Sequence, residues 1–174
     1  EETELELEDV ELEWPADGPH AGDLVAGRYE VRTVLAAGDT GHIYRVFDHK
    51  AGREYALKLL HPEIVAYKGA RQRFFTEMAV SRRLMHNNIT RVLDVGDEGD
   101  RVFYIMELPS GQSLDTLLRR RAAQGRRLTL IEAVHILHPL CNALDYLHQT
   151  MVHGHLRPDN VFICSDTTAK LMDV

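Results

Sequence analysis

Residues 153–160 read HGHLRPDN, two histidines around a glycine followed by Leu-Arg-Pro-Asp-Asn. Taken alone, the stretch is compatible with a metal site, a proton relay, or an enzyme loop whose catalytic residue has been exchanged. Its flanks place it. Upstream, Thr129-Leu130-Ile131-Glu132 has the spacing of a capping box and opens a long helix with Val134, Leu137, Cys141, Leu144 and Leu147 on one stripe. Pro139 falls inside that helix, where it should cost about 3 kcal/mol or force a kink. Downstream, VFIC and AKLMDV read as short strands around the turn SDTT. The stretch is therefore a loop between a helix and a hairpin.

Farther upstream, Ser113 caps a shorter helix, LDTLLRRRAA, which Gly125 stops. Before residue 109 the pattern changes to strands. RYEVRTVLA, HIYRVFDH and EYALKLL are rich in β-branched and aromatic residues and are separated by the turns AAGDTG and KAGR, which predicts an antiparallel meander. GARQRFFTEMAVSRRLMH then spaces Phe74, Phe75, Met78 and Met85 as one helix. Two further strands, TRVLDVGD and RVFYIMEL, meet at DEGD. Five strands and one helix make a complete small α+β lobe.

The first fourteen residues, EETELELEDVELEW, carry eight acids before Trp14, and without them the net charge of −7 becomes +1. Their alternation permits a strand, but so dense a charge block reads as a disordered or loosely docked tail. PADGPHAGD then interrupts regular structure. The near-neutral remainder has one basic cluster, RRRAAQGRR at 119–127, read as the solvated end of a helix, so no nucleic-acid surface is expected. No stretch approaches the roughly 20 apolar residues of a membrane span, and no signal-peptide pattern is read in the sequence as given. Cys141 and Cys164 give neither a disulfide framework nor metal-ligand spacing, so buried reduced thiols in a cytoplasmic protein are expected. The chain begins with Glu rather than Met, which suggests a processed or cut N-terminus.

The ordered set of a Gly-containing turn, YALK, a helix with Glu77, HGHLRPDN and LMDV resembles the protein kinases, in particular the bacterial serine/threonine type. The resemblance covers residues 28–174 and stops where the family's Asp-Phe-Gly motif should be finishing. It implies an α+β fold of the protein-kinase type: a five-stranded antiparallel N-lobe with one main helix over residues 24–108, and a partial, mainly helical C-lobe over residues 109–174, with residues 1–23 as tail and linker. It also implies site residues. Gly38 and Gly41 match two of the three loop glycines, with Ala36 in place of the first. Lys58 matches the lysine on the α- and β-phosphates, and Glu77 the helix acid that orients it. Ile43, Ala56 and Phe162 match the apolar residues around the adenine, Glu107 lies in the hinge MELPSG, and Asn160 and Asp173 match the two Mg²⁺-holding positions.

The departures from the family pattern are as informative. The catalytic aspartate is replaced by His155, the arginine before it by Gly154, and the lysine that meets the γ-phosphate by Arg157. An imidazole accepts a proton but brings no fixed negative charge. Pro109 offers no N–H where the hinge would donate one to the adenine ring. Ser81 and Val174 thin a packed column whose other members are Val92 and His153. The expectation is a pseudokinase-type regulatory or scaffolding module with weak or absent binding of ATP and Mg²⁺, acting through a protein partner or self-association. The alternatives are a serine/threonine kinase with residual or altered phosphotransfer, and a truncated interaction scaffold without nucleotide. A metal site built from His148, His153, His155 and Asp173 is the rival reading of the opening stretch, without a second cluster to support it.

Overall fold

A computed structural model describes residues 13–174, so the strand or tail reading of the acidic block falls almost wholly outside the described residues. The small lobe is one six-stranded antiparallel sheet in the order β1-β2-β3-β4-β6-β5. Its strands are β1 Leu24–Val25, β2 Tyr29–Gly38, β3 Gly41–Asp48, β4 Arg53–Leu60, β5 Val92–Glu98 and β6 Arg101–Met106. The five expected strands are all present, and β1 is an additional two-residue strand paired to the start of β2. Tyr55 through Leu60 of β4 are all buried, because β4 lies inside the sheet with neighbours on both sides and cover on both faces.

The linker before β1 docks on the sheet. Pro19 is fully buried, and Trp14 stacks on His20 at 5.5 Å and on Tyr44 at 6.4 Å. At the end of β3 Asp48, 1% exposed, ties the strand ends together. It accepts from Arg28 Nε at 2.8 Å and Nη2 at 2.7 Å, and from the backbone N–H groups of Lys50 and Ala51. Arg28 Nη1 also reaches Asp94 at 3.2 Å, where the Tyr29 hydroxyl donates at 3.0 Å.

Two helices follow β4: a single turn, α1 Pro62–Val65, and α2 Ala70–Ser81. Helix α2 is shorter than the sequence pattern suggests. It buries Met78 and Ser81 and packs Phe74 on the sheet, whereas Met85, expected on the same face, lies beyond its end and is 71% exposed.

The large-lobe part contains β7 Gly111–Ser113, α3 Leu114–Ala123, α4 Leu130–His148, a 3-10 turn at Pro158–Asn160, β8 Val161–Cys164 and β9 Ala169–Leu171. The expected hairpin β8–β9 gains β7 as a third strand. Both predicted caps form: Ser113 Oγ accepts from Thr116 N at 3.1 Å, and Thr129 and Glu132 make a reciprocal capping box. Glu132 also accepts from Arg121 at 2.6 Å. That contact comes first, and the bonds from Thr129 add to it, in holding the Glu132 carboxyl down at about 2.

Helix α4 corrects the expected stripe. Ile136, Leu140, Ala143 and Leu147 are buried, while Val134, Leu137 and Cys141 face outward with Leu130 and Ile131. The helix is apolar on both of these faces, so spacing alone selects neither. Cys141 is exposed and Cys164 half-buried, so neither is the fully buried thiol expected. Pro139 lies within α4 without ending it. The carbonyl it leaves unpaired belongs to His135, itself an exposed residue, so water can replace the missing donor.

The lobes are stitched together between α2 and β5. Ile89 bridges to Leu171, with Thr90 N donating to Leu171 O and Leu171 N to Asn88 O, both at 2.8 Å. This clamp fixes β9, and the residues just after it, against the small lobe.

Candidate functional site

A cleft of about 210 Å³ lies between the β2–β3 turn and the loop before β8. From the small lobe it is lined by Ala36 to Gly41, Ile43 and Lys58, and from the other side by His155, Arg157, Asp159, Asn160, Met172 and Asp173. Residues 118 positions apart in the chain thus share one hollow. The same sequence reasoning that singled out Gly38, Gly41, Ile43, Lys58, His155, Arg157, Asn160 and Asp173 finds all eight on its walls.

Ala56, Glu107 and Phe162 do not line the cleft. Ala56 is buried with Met78, Val92, Tyr104 and Met106 in a cluster that Ile43, Leu35, Leu108 and Met172 complete. Phe162 is half-buried on β8. Glu107 accepts from Lys170 Nζ at 2.5 Å, so its carboxylate faces β9. Gly41 has a packing reason to be glycine: a Cβ there would sit 2.1 Å from the Leu59 carbonyl oxygen. Gly38 has no comparable constraint, its nearest neighbour being the Gly41 oxygen at 3.7 Å.

The ion pair at the centre differs from the expected one. Lys58, 6% exposed at its side chain, pairs with Asp173. Glu77 is exposed on α2 and makes no ion pair among the described residues. A residue that motif reading passed over takes part instead. Tyr104 of β6 is 4% exposed and donates its hydroxyl to Asp173 Oδ1, while Lys58 donates to Oδ2. Burial pushes the Asp173 carboxyl upward, but the Lys58 charge and the two hydrogen bonds outweigh it, leaving the group below the usual aspartate range. Burial first, and the neighbouring Asp173 charge second, raise the Tyr104 phenol well above its ordinary value and keep it a donor. Asp173 adopts a left-handed backbone (φ 64°), a conformation aspartate tolerates better than most residues.

The loop is equally committed to itself. His153 donates from Nε2 to the Met172 carbonyl at 3.0 Å and accepts the His155 N–H on Nδ1 at 3.3 Å. Burial lowers its pKa, consistent with this neutral form. The Asn160 amide donates to the His155 carbonyl at 2.9 Å and meets the same residue's Nδ1 at 3.1 Å. Arg157 spans the mouth, with Nη1 3.3 Å from Asp39 on the β2–β3 turn and Nη2 2.7 Å from Asp159. No group of three or more potential metal-ligating side chains of the His, Cys, Asp and Glu types occurs among the described residues, so the histidine-metal reading of the loop finds no geometry.

The thinned column is divided. Val92 packs in the cluster with Tyr104, whereas Val174 packs with Leu84, Leu147 and Leu171. Ser81 joins the halves through a hydrogen bond, its hydroxyl donating to the Val174 carbonyl at 2.7 Å. No helix among the described residues is long and apolar enough to cross a membrane.

Residues 29–174 match the pattern of the protein kinase domain family. A probable serine/threonine-protein kinase PknB of Corynebacterium glutamicum is 33% identical over 155 residues, covering 86% of this chain and 23% of that protein. The serine/threonine-protein kinase PknA of Mycobacterium tuberculosis is 30% identical over 161 residues, covering 89% of this chain and 36% of its own length. The chain thus spans about a quarter to a third of the length of these relatives. A crystal structure of the Mycobacterium tuberculosis PknI kinase domain, in a doubly substituted form, superposes with a TM-score of 0.83 at 30% identity, covering 90% of this chain and 61% of that one. The ordered motifs, the two-lobed fold and these likenesses agree: the chain belongs to the protein kinase family.

Proposed function

We propose that the chain is a pseudokinase-type regulatory or scaffolding module, with weak or absent nucleotide binding and no efficient phosphoryl transfer. The contact between Asn160 and His155 carries this reading. A neutral imidazole has one acceptor nitrogen, and the Asn160 amide already occupies Nδ1, leaving Nε2 to carry the proton. His155 then has no lone pair with which to accept the proton of a substrate hydroxyl, and it supplies no fixed negative charge.

The donor types present still suit a hard cation. Asp173 and Asn160 offer carboxylate and amide oxygens on the same cleft, and they are the residues that would hold Mg²⁺. When bound, such an ion neutralises charge on phosphate oxygens. Lys58 places a second positive charge beside them, and Arg157 a third at the mouth. The cleft, at about 210 Å³, is smaller than the roughly 300–1,000 Å³ of most small-molecule sites, which supports weak occupancy. The shared lining by Lys58, Asn160 and Asp173 favours a second reading, a serine/threonine kinase with residual phosphotransfer.

Action through a protein surface is supported by the outward stripe of α4, where Leu130 is 80% and Ile131 69% exposed beside Val134 and Leu137. We assign this stripe to a protein partner or to self-association, in a cytoplasmic setting. Light scattering is expected to find dilution-dependent association that Leu137→Glu reduces, and a dilution-stable monomer contradicts it.

Incubation with labelled ATP, Mg²⁺ and generic serine/threonine substrates tests the main reading. No transfer above that of Lys58→Met is expected. Transfer abolished by both Lys58→Met and Asp173→Ala establishes the second reading instead. A rise in the unfolding midpoint with millimolar nucleotide is expected to be small, and none at all leaves a scaffold without nucleotide.

A further inference from the structure

We propose that Tyr104 acts as a positioning residue that holds Asp173 in a metal-excluding state, so that whatever nucleotide enters the cleft binds without a divalent cation. The inference rests on the reading that this cleft takes a nucleotide, and it goes beyond it by assigning the metal requirement to one side chain.

Both oxygens of Asp173 already accept protein donors, Oδ1 from the Tyr104 hydroxyl and Oδ2 from Lys58. A Mg²⁺ ion demands near-octahedral oxygen geometry and needs at least one of those oxygens turned toward it. Lys58 keeps its ammonium in place for any phosphate that arrives. Tyr104 is different, because nothing in the phosphate chemistry replaces its partner.

Its ring is embedded among Ala56, Met78, Val92 and Met106 and lies 6.3 Å from the Phe74 ring. Rotating Asp173 toward a metal would leave a phenol hydroxyl unpaired in that apolar cluster, a state proteins avoid. Asn160 is not limited in the same way, since only its amide nitrogen is anchored on His155 and its oxygen is left to the cleft. The exposed position of Glu77 fits the same arrangement: the tyrosine hydroxyl, not the helix carboxylate, is the second group of the buried pair around Asp173 and Lys58.

Titration of a fluorescent ATP analogue against the full chain tests this, with EDTA and with millimolar Mg²⁺, for the unmodified protein, Tyr104→Phe and Tyr104→Leu. Thermal unfolding verifies that each variant is folded, and either variant suffices. The unmodified protein is expected to bind with the same affinity in EDTA and Mg²⁺, within twofold. Tyr104→Phe is expected to bind at least fivefold more tightly in Mg²⁺ than in EDTA. Fivefold or greater dependence on Mg²⁺ in the unmodified protein overturns the proposal while leaving nucleotide binding intact, as does a variant no more metal-dependent than the parent. Absence of binding in every arm overturns the nucleotide reading and the proposal with it.

Discussion

Asp48 and Asp173 are two carboxylates set in the same kind of surroundings for different ends. Asp48 lies at the end of β3, 1% exposed, and receives a two-pronged arginine plus two backbone N–H groups. Asp173 lies in the cleft with its side chain 21% exposed and receives one lysine and one tyrosine. The first pair is saturated and does not line the cleft, so only stability follows from it. The second uses the residue types that phosphoryl transfer employs, yet directs them at one another. A motif therefore fixes which side chains face a cleft, and the neighbours of those side chains decide whether they are free to act.

The largest effect expected is on the cleft carboxylate. Asp173→Ala strands Lys58, 6% exposed at its side chain, and the buried Tyr104 hydroxyl, and should destabilise the protein by about 3–5 kcal/mol in denaturant unfolding. Asp48→Ala should cost less, on the order of 1–3 kcal/mol, because Arg28 is partly exposed and keeps Asp94. If the order is reversed, the contrast between a structural and a cleft pair is wrong.

Acid unfolding sharpens the same contrast. The Arg28 hydrogen bonds depress the Asp48 pKa, and the Arg121 contact brings Glu132 to about 2. For groups depressed on folding, the stability they add is complete above the ordinary carboxylate range, near pH 4, and is lost as pH falls through the folded value. Asp48→Asn should therefore flatten the loss of stability below pH 4, and Glu132→Gln should do so down to about pH 2. Replacing the capping partner, Thr129→Ala, should cost about 1 kcal/mol at neutral pH. The smallest effect belongs to the mouth of the cleft. Asp39→Ala removes an exposed partner of Arg157 and should change stability by less than about 0.5 kcal/mol.

Much of this was legible in the sequence, for physical reasons that differ by element. The strands of the small lobe and the caps at Ser113 and Thr129 follow from local residue chemistry, and local chemistry decides them. The outward turn of Val134 and Leu137 was not legible, because α4 is apolar on two faces and only the packing of β9 selects one. The strand β7 is three residues long and exists through its pairing with β8. The eight cleft residues were found because their spacing is a matter of ordered motifs. Tyr104 was not found: a tyrosine in RVFYIM reads as an ordinary core strand residue, and its hydroxyl acquires a role only when the fold returns Asp173, 69 positions later, to it. The exposure of Glu77 was hidden for the same reason, since the pairing of Lys58 is a choice between distant partners.

The central claim is that the polar groups of the cleft are committed to one another in the protein as it stands, with no ligand present. A double-mutant cycle on Lys58→Met and Asp173→Asn, measured by denaturant unfolding without nucleotide or metal, tests it directly. The account predicts a coupling energy of at least about 1 kcal/mol between the two positions. Additivity within about 0.3 kcal/mol would contradict it.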